Sequence, residues 1–266
     1  MKRLLGLLIL LGILGAIPAH AVGDDGKDRN DGSKQIGLYV GGKLGMSIEQ
    51  FTGSKFGMKE GGASFPPPFG DLSWKDQLFG MGTYKDTVFG GGVLLGYDFH
   101  KRFAVPIRVE LDYTLRGKAS DTNQRDLPFE YTSLVYGDFS GVTSARMKTS
   151  LTLQTLMANA WWDIFPEARF TPYVGGGLGV AFGRLKATVT DVEEGDTLKT
   201  SDTFTNFAWS LGGGLAYDFN DNWTLDLGYR YIDAGDHKMT YNNDVNYVKI
   251  DRIETHDVML GIRYTF

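Results

Sequence analysis

No cysteine occurs among the 266 residues, which excludes a disulfide framework and thiol chemistry. Past residue 21 no run of 18 apolar residues occurs either, so no segment there is built to cross a membrane as a helix. Histidine is scarce, with only His100, His237 and His256 beyond the first 21 residues, and this leaves few imidazoles for acid–base work. Cations are the minority charge. Leaving out Lys2 and Arg3, 25 basic residues face 32 acidic ones, a formal charge of −7. A nucleic-acid or anionic partner held by bulk charge is therefore not expected.

What the chain has in quantity is glycine, 36 residues, and aromatic side chains, 13% of the total. The start is different in kind. Met1-Lys2-Arg3 leads into an apolar run from Leu4 to Ile17, closed by Pro18 and Ala19-His20-Ala21. A basic start, a short apolar stretch and a small-x-small triplet predict a secretory signal peptide over residues 1–21, cleaved after Ala21. Residues 22–35 are polar, glycine-bearing and aperiodic, which predicts a flexible periplasmic leader.

From residue 36 to 266 eight segments alternate with period two, near 36–49, 87–99, 103–116, 148–164, 170–187, 203–219, 223–235 and 253–266. In the last, Val258, Leu260, Ile262, Tyr264 and Phe266 share one face and Asp257, Met259, Gly261, Arg263 and Thr265 the other. Short connections (100–102, 164–169, 220–222) alternate with long ones (50–86, 117–147, 188–202, 236–252). The pattern predicts an all-β fold, an eight-stranded antiparallel up-and-down transmembrane β-barrel with long extracellular loops and both termini on the short-turn side. In the fourth segment Leu151 and Leu153 have one parity and Leu156 to Ile164 the other, which predicts a bulge near Gln154 or Thr155.

A soluble lipocalin-like barrel would carry the same alternation with its apolar face inward. The less apolar face of the fifth and sixth segments decides against it, because Gly175, Gly177, Gly179, Ala181, Ala208, Ser210, Gly212, Gly214 and Ala216 make a poor water-facing surface. Small residues suit the cramped interior of eight strands. The opposite face, with Phe207, Trp209, Leu211, Leu215, Tyr217 and Phe219, then meets lipid. Pairing Trp223 with Phe266 would set Asp233 opposite His256 at the upper membrane boundary.

The inward charges Lys43, Glu110 and Arg230 fall near mid-height, with Asp226 and Arg263 below. Mixed signs in a narrow lumen predict an ion-pair network that plugs it. The functional alternative is a narrow porin-like pore for small solutes, gated by Glu110 exchanging between Lys43 and Arg230. Third comes an outer-membrane lipid A hydrolase using a His256–Asp233 dyad, disfavoured because no serine is placed beside it. No catalytic residue, metal site or cofactor is expected. The acidic stretch Asp191, Glu193, Glu194, Asp196 lacks calcium-loop spacing.

The first long loop interleaves Phe51, Phe56, Phe65, Phe69, Trp74, Phe79 and Tyr84 with glycines and carries Pro66-Pro67-Pro68. Phe65, Phe69 and Trp74 are candidate contact residues for a partner; equally, the loop aromatics pack on one another or cover the barrel mouth.

Tyr173 to Gly179, Ala216 to Phe219, Leu227 to Tyr231 and the ending Gly261-Ile262-Arg263-Tyr264-Thr265-Phe266 resemble the OmpA-type and opacity-protein surface antigens. The resemblance covers the strands and implies a bacterial outer-membrane structural protein or surface antigen, with no enzymatic activity. It implies as partners outer-membrane lipid and lipopolysaccharide, host or other ligands at the loops, and the outer-membrane assembly machinery, read through Ile262, Tyr264 and Phe266. Nothing after Phe266 matches the peptidoglycan-binding domain of full-length OmpA, so cell-wall anchoring is not expected.

Overall fold

A computed structural model describes residues 36–266 except 65–70, 134–136, 192–196 and 242–245. The segments read as signal peptide and leader lie outside the described residues. Twelve strands follow in chain order: β1 Leu38–Met58, β2 Gly61–Ser64, β3 Asp71–Trp74, β4 Gln77–Asp98, β5 Ile107–Ser133, β6 Gly137–Asp163, β7 Phe170–Asp191, β8 Thr197–Asp218, β9 Trp223–Asp233, β10 His237–Tyr241, β11 Asn246–Ile250 and β12 Arg252–Thr265. Among the described residues the one helical element is a single turn, His100–Phe103, in the β4–β5 connection.

Eight of these strands close into a ring, each antiparallel to its neighbours: β1, β4, β5, β6, β7, β8, β9 and β12, with β12 returning to β1. Closure satisfies backbone donors and acceptors between strands, so no sheet edge is left within the wall. The expected eight-stranded barrel is therefore the observed one.

The alternation assigns faces as read from the sequence. Leu44, Phe89, Leu178, Phe207, Leu211, Leu227 and Leu260 project outward and are exposed, Phe89 by 80% and Leu44 by 73%. Tyr39, Arg108, Asp112, Arg116, Thr155, Asn159, Ala208, Ser210, Arg230 and Asp257 project inward and are buried. Glycine makes room for the larger inward groups. A Cβ at Gly96 would collide with the Tyr39 ring, and one at Gly183 with the Phe204 ring. Aromatics gather near the short turns in edge contacts, Trp223 with Tyr264 at 5.0 Å and Tyr264 with Phe266 at 5.1 Å.

Three expectations are corrected. The long connections are mostly strand, since β1 and β4 pair as far as Met58 with Gln77, and β5 and β6 to the Ser133–Gly137 tip. At 27 residues, β5 and β6 exceed twice the roughly 9–11 that cross a bilayer, so these hairpins continue beyond it. β6 itself carries no bulge at Gln154 or Thr155, because it pairs with β7 without a break from Ala145 to Asp163. The irregularity lies on the partner strand, between Leu115 and Lys118. The parity change arises because Leu151 and Leu153 point inward above the level where Leu156 and Ala158 point outward. Finally, Trp223 pairs with Tyr264, not Phe266, so Tyr231 faces His256 and Asp233 faces Glu254. Asn222 fixes that register: its carbonyl accepts from the Thr265 N–H and its side-chain amide donates to the Thr265 carbonyl, both at 2.8 Å.

Candidate functional site: the filled lumen and its outer extension

The lumen is filled in two tiers. The lower one is ionic. Lys43 donates to Asp112, whose other oxygen lies 3.4 Å from Arg230 Nη2. Arg116 donates to both oxygens of Asp257, from Nε at 3.1 Å and Nη2 at 2.6 Å, and Arg230 stands 3.5 Å from the same carboxylate. Thr114, Thr155 and Thr255 supply further hydroxyl contacts to this set. Nearer the short turns Arg108 forms a bidentate pair with Asp163, 2.8–3.0 Å, and Arg263 contacts Asp226. The guanidinium of Arg108 lies over the Tyr173 ring at 4.8 Å and that of Arg263 over Tyr39 at 5.2 Å. The Arg108–Asp163 and Arg116–Asp257 charges persist at this depth because each has an opposite charge and hydrogen bonds at hand.

The network joins four of the five lumen residues picked from sequence but wires them differently. Lys43 and Arg230 converge on Asp112, while Arg263 meets Asp226. Glu110 accepts from the Tyr39 hydroxyl at 3.3 Å and is not the hinge of an exchange between Lys43 and Arg230. The two central acids, Asp112 and Asp257, were missed, as were Arg108, Arg116 and Asp163. All lie on the polar parity, but their partners are reached across the lumen, where strand alternation carries no signal. A cavity of about 70 Å³ remains in this tier, bordered by Lys43, Glu110, Asp226, Arg230 and Arg263 among others.

Above the ions the interior turns apolar. Phe51, Leu151, Leu153, Leu185, Phe204, Ile232, Met239, Val248, Ile250 and Ile253 form one buried cluster, with Tyr84 stacked on Phe51 at 5.3 Å. Outside the bilayer an extended barrel needs a water-excluding core like that of a soluble protein, so its polarity is inverted relative to the membrane segment.

Of the first-loop aromatics, Phe51 and Tyr84 belong to this core and Phe56 stacks on Phe79 at 6.1 Å, so these four pack on one another. Phe65 and Phe69 lie outside the described residues. Trp74 is the last residue of β3, and its backbone pairs with Gly61.

The His256–Asp233 dyad does not form. His256 Nδ1 meets the Tyr229 hydroxyl at 2.8 Å, while Asp233 accepts from the Gly235 N–H at 2.9 Å and lies 3.7 Å from Arg252. Among the described residues no cluster of His, Asp and Glu has the geometry of a metal site.

Residues 7–266 match the outer membrane protein beta-barrel domain. The chain is 32% identical to the outer membrane protein PagN of Salmonella typhimurium over 244 residues, covering 88% of this chain and 92% of that protein. It is 26% identical to the 31 kDa outer-membrane immunogenic protein of Brucella melitensis, covering 81% and 84% respectively. Among solved structures, Neisserial surface protein A aligns over 86% of this chain and 97% of its own, at 19% identity and a TM-score of 0.37.

Proposed function

The chain belongs to the outer membrane protein beta-barrel domain family and is an outer-membrane surface protein, and from that premise we propose that it is a non-conducting, non-enzymatic display barrel whose extracellular extension contacts a host surface or ligand. The carrying observation is the apolar core of that extension, from Phe51 and Leu153 through Phe204 to Ile253. It lies directly above the ion pairs, so a solute that passed the charges would still meet a layer of buried apolar side chains. The same core stiffens the strands of the hairpins β1–β4, β5–β6 and β7–β8 beyond the bilayer, so a surface built on these strands binds without the ordering cost of a mobile loop.

Support for surface contact is the strand extension itself, together with relatives named as immunogenic outer-membrane protein. Against catalysis stands the separation of His256 from Asp233.

The test compares cells displaying the full chain with cells whose β2–β3 tip, residues 61–74, is replaced by a short Gly-Ser turn. The tip-replaced barrel should still migrate as a heat-modifiable band, and adherence to epithelial cells should fall to the level of cells lacking the protein. Equal adherence with and without the tip would remove it as the contact surface. Equal adherence with and without the whole protein would remove host contact altogether.

A further inference from the structure

The net negative charge conceals a local concentration of the opposite sign. On the outward face of β5–β8, Lys118, Lys148, Arg184, Lys186 and Lys199 are all exposed, and none forms an ion pair among the described residues. Strand register places them together. Lys118 and Arg184 flank Thr152 from either side, Lys186 lies between Ser150 and Ser201, and Lys148 and Lys199 are the neighbours of Thr188. With strands roughly 4.8 Å apart, Lys118 and Arg184 stand about 10 Å from each other. The cations thus alternate with Ser and Thr hydroxyls. The outward acids at the corresponding level on β9 and β12 are engaged: Asp233 lies near Arg252, and Glu254 accepts from Tyr231 at 2.6 Å and Gln50 at 3.2 Å.

The cluster begins where the apolar wall stops. On β5 the outward series ends at Leu115 and resumes at Lys118; on β7 it ends at Phe182 and resumes at Arg184. Lower on the wall an open recess of about 880 Å³ runs across these four strands and on to Leu95 and Tyr97 of β4 and Leu38 of β1. On β6 and β7 its lining is the small residues Ala158, Ala160 and Gly176, with the larger Leu111 on the β5 side and Trp209 and Leu211 on the β8 side. From Leu178, within the recess, to Arg184 is six residues. That is roughly 20 Å along a strand, or about 14 Å of depth at a 45° tilt, close to half of the ~30 Å hydrocarbon core.

We propose that the outer wall of β5–β8 is a binding site for a phosphorylated, multiply acylated saccharide lipid of the outer leaflet, the chemistry of lipid A. Lys118, Arg184 and Lys186 take the phosphates, the interleaved hydroxyls face the sugars, and an acyl chain lies in the Ala158–Ala160–Gly176 recess. A soluble polyanion would use the cations alone. The small-residue part of the recess lying beneath the cations and the boundary on β5–β8 favours an amphiphile.

The experiment uses the full chain in phosphatidylcholine nanodiscs doped with hexa-acylated bisphosphoryl lipid A, reading retained lipid by native mass spectrometry. Three parallel arms use dephosphorylated lipid A, a soluble heparin fragment as competitor, and the variants Lys118→Gln/Arg184→Gln/Lys186→Gln and Ala160→Leu. Each substituted cation is exposed, so the triple variant should fold, as heat-modifiable migration will show. Loss of three cations at an anionic surface should weaken retention by about tenfold or more, and dephosphorylation should do the same. Ala160→Leu should weaken it several-fold with the cations intact. Retention unchanged in the triple variant would overturn the site. Heparin displacing lipid A while Ala160→Leu has no effect would overturn it too, and would assign the cations to a soluble polyanion.

Discussion

Arg116 and Asp257 meet across the lumen, from β5 to β12, in a two-bond pair that also lies within 3.5 Å of Arg230. Neither side chain of the pair is more than 1% exposed. Asp257→Ala would leave the buried Arg116 guanidinium without its counter-charge, and should destabilise the barrel by about 3–5 kcal/mol. Arg116→Met/Asp257→Leu should recover most of that loss. Urea titrations in detergent or lipid, read from the heat-modifiable band, measure both; a single variant as stable as the parent would deny the pair its role.

The two-tier filling predicts a silent barrel. In planar bilayers the protein should give no sustained openings, and Glu110→Ala should behave the same way, because Glu110 bonds to Tyr39 and the apolar tier above is untouched. Steady openings in the parent that vanish in Glu110→Ala would restore the gated pore.

Gly183 has the Phe204 ring where a side chain would begin. Gly183→Val should therefore cost about 1–3 kcal/mol through overpacking, and Phe204→Ala in the same chain should return part of it. Chemical denaturation of the single and double variants distinguishes this coupling from simple additivity, which would count against the packing account.

Asp251 lies outside the membrane between β11 and β12 and accepts from Lys55 and Lys249, each at 2.8 Å. These hydrogen bonds hold its carboxyl at about 2, below its ordinary 3.8, and raise Lys249. Because the folded value is depressed, the clamp's contribution is complete above about pH 4 and is lost as pH falls through about 2. Amide exchange in 246–250 should accelerate over that interval in the parent, and Asp251→Asn should exchange fast throughout. Identical exchange in the two proteins would discard the clamp.

Phe266 closes the outward apolar row after Ile262 and Tyr264, and its N–H donates to the Leu38 carbonyl at 2.9 Å. Phe266→Asp should leave that backbone bond possible but remove the aromatic end of the row. We expect several-fold less heat-modifiable protein in outer-membrane fractions, with unfolded chain accumulating in the periplasm. Undiminished assembly would argue that Phe266 is not read as a signal.

The period-two pattern is legible because in a closed membrane barrel one face must meet hydrocarbon along the whole span. Val258 to Phe266 and Trp223 to Tyr229 therefore show the wall in their residue order. Leu151 and Leu153 misled for a related reason. Above the membrane the apolar face turns inward, and an inversion of polarity at constant parity reads in one dimension like a register break. The first long loop misled similarly: Phe51 and Tyr84, read as loop residues, are core residues of a strand pair that keeps its ladder past the bilayer.

The number of strands in the ring, their connection order and the lipid-facing residues were determined by the sequence alone, since alternation and spacing are local properties. The wiring of the lumen was decided only by the tertiary structure. Lys43 takes Asp112 in preference to Glu110, and Arg116 finds Asp257 from a strand 141 positions away, because side chains inside a closed barrel meet across its axis. The outward cations follow the same rule. A chain with an acidic total brings Lys118, Arg184 and Lys186 onto one patch only when β5, β6 and β7 fall into register.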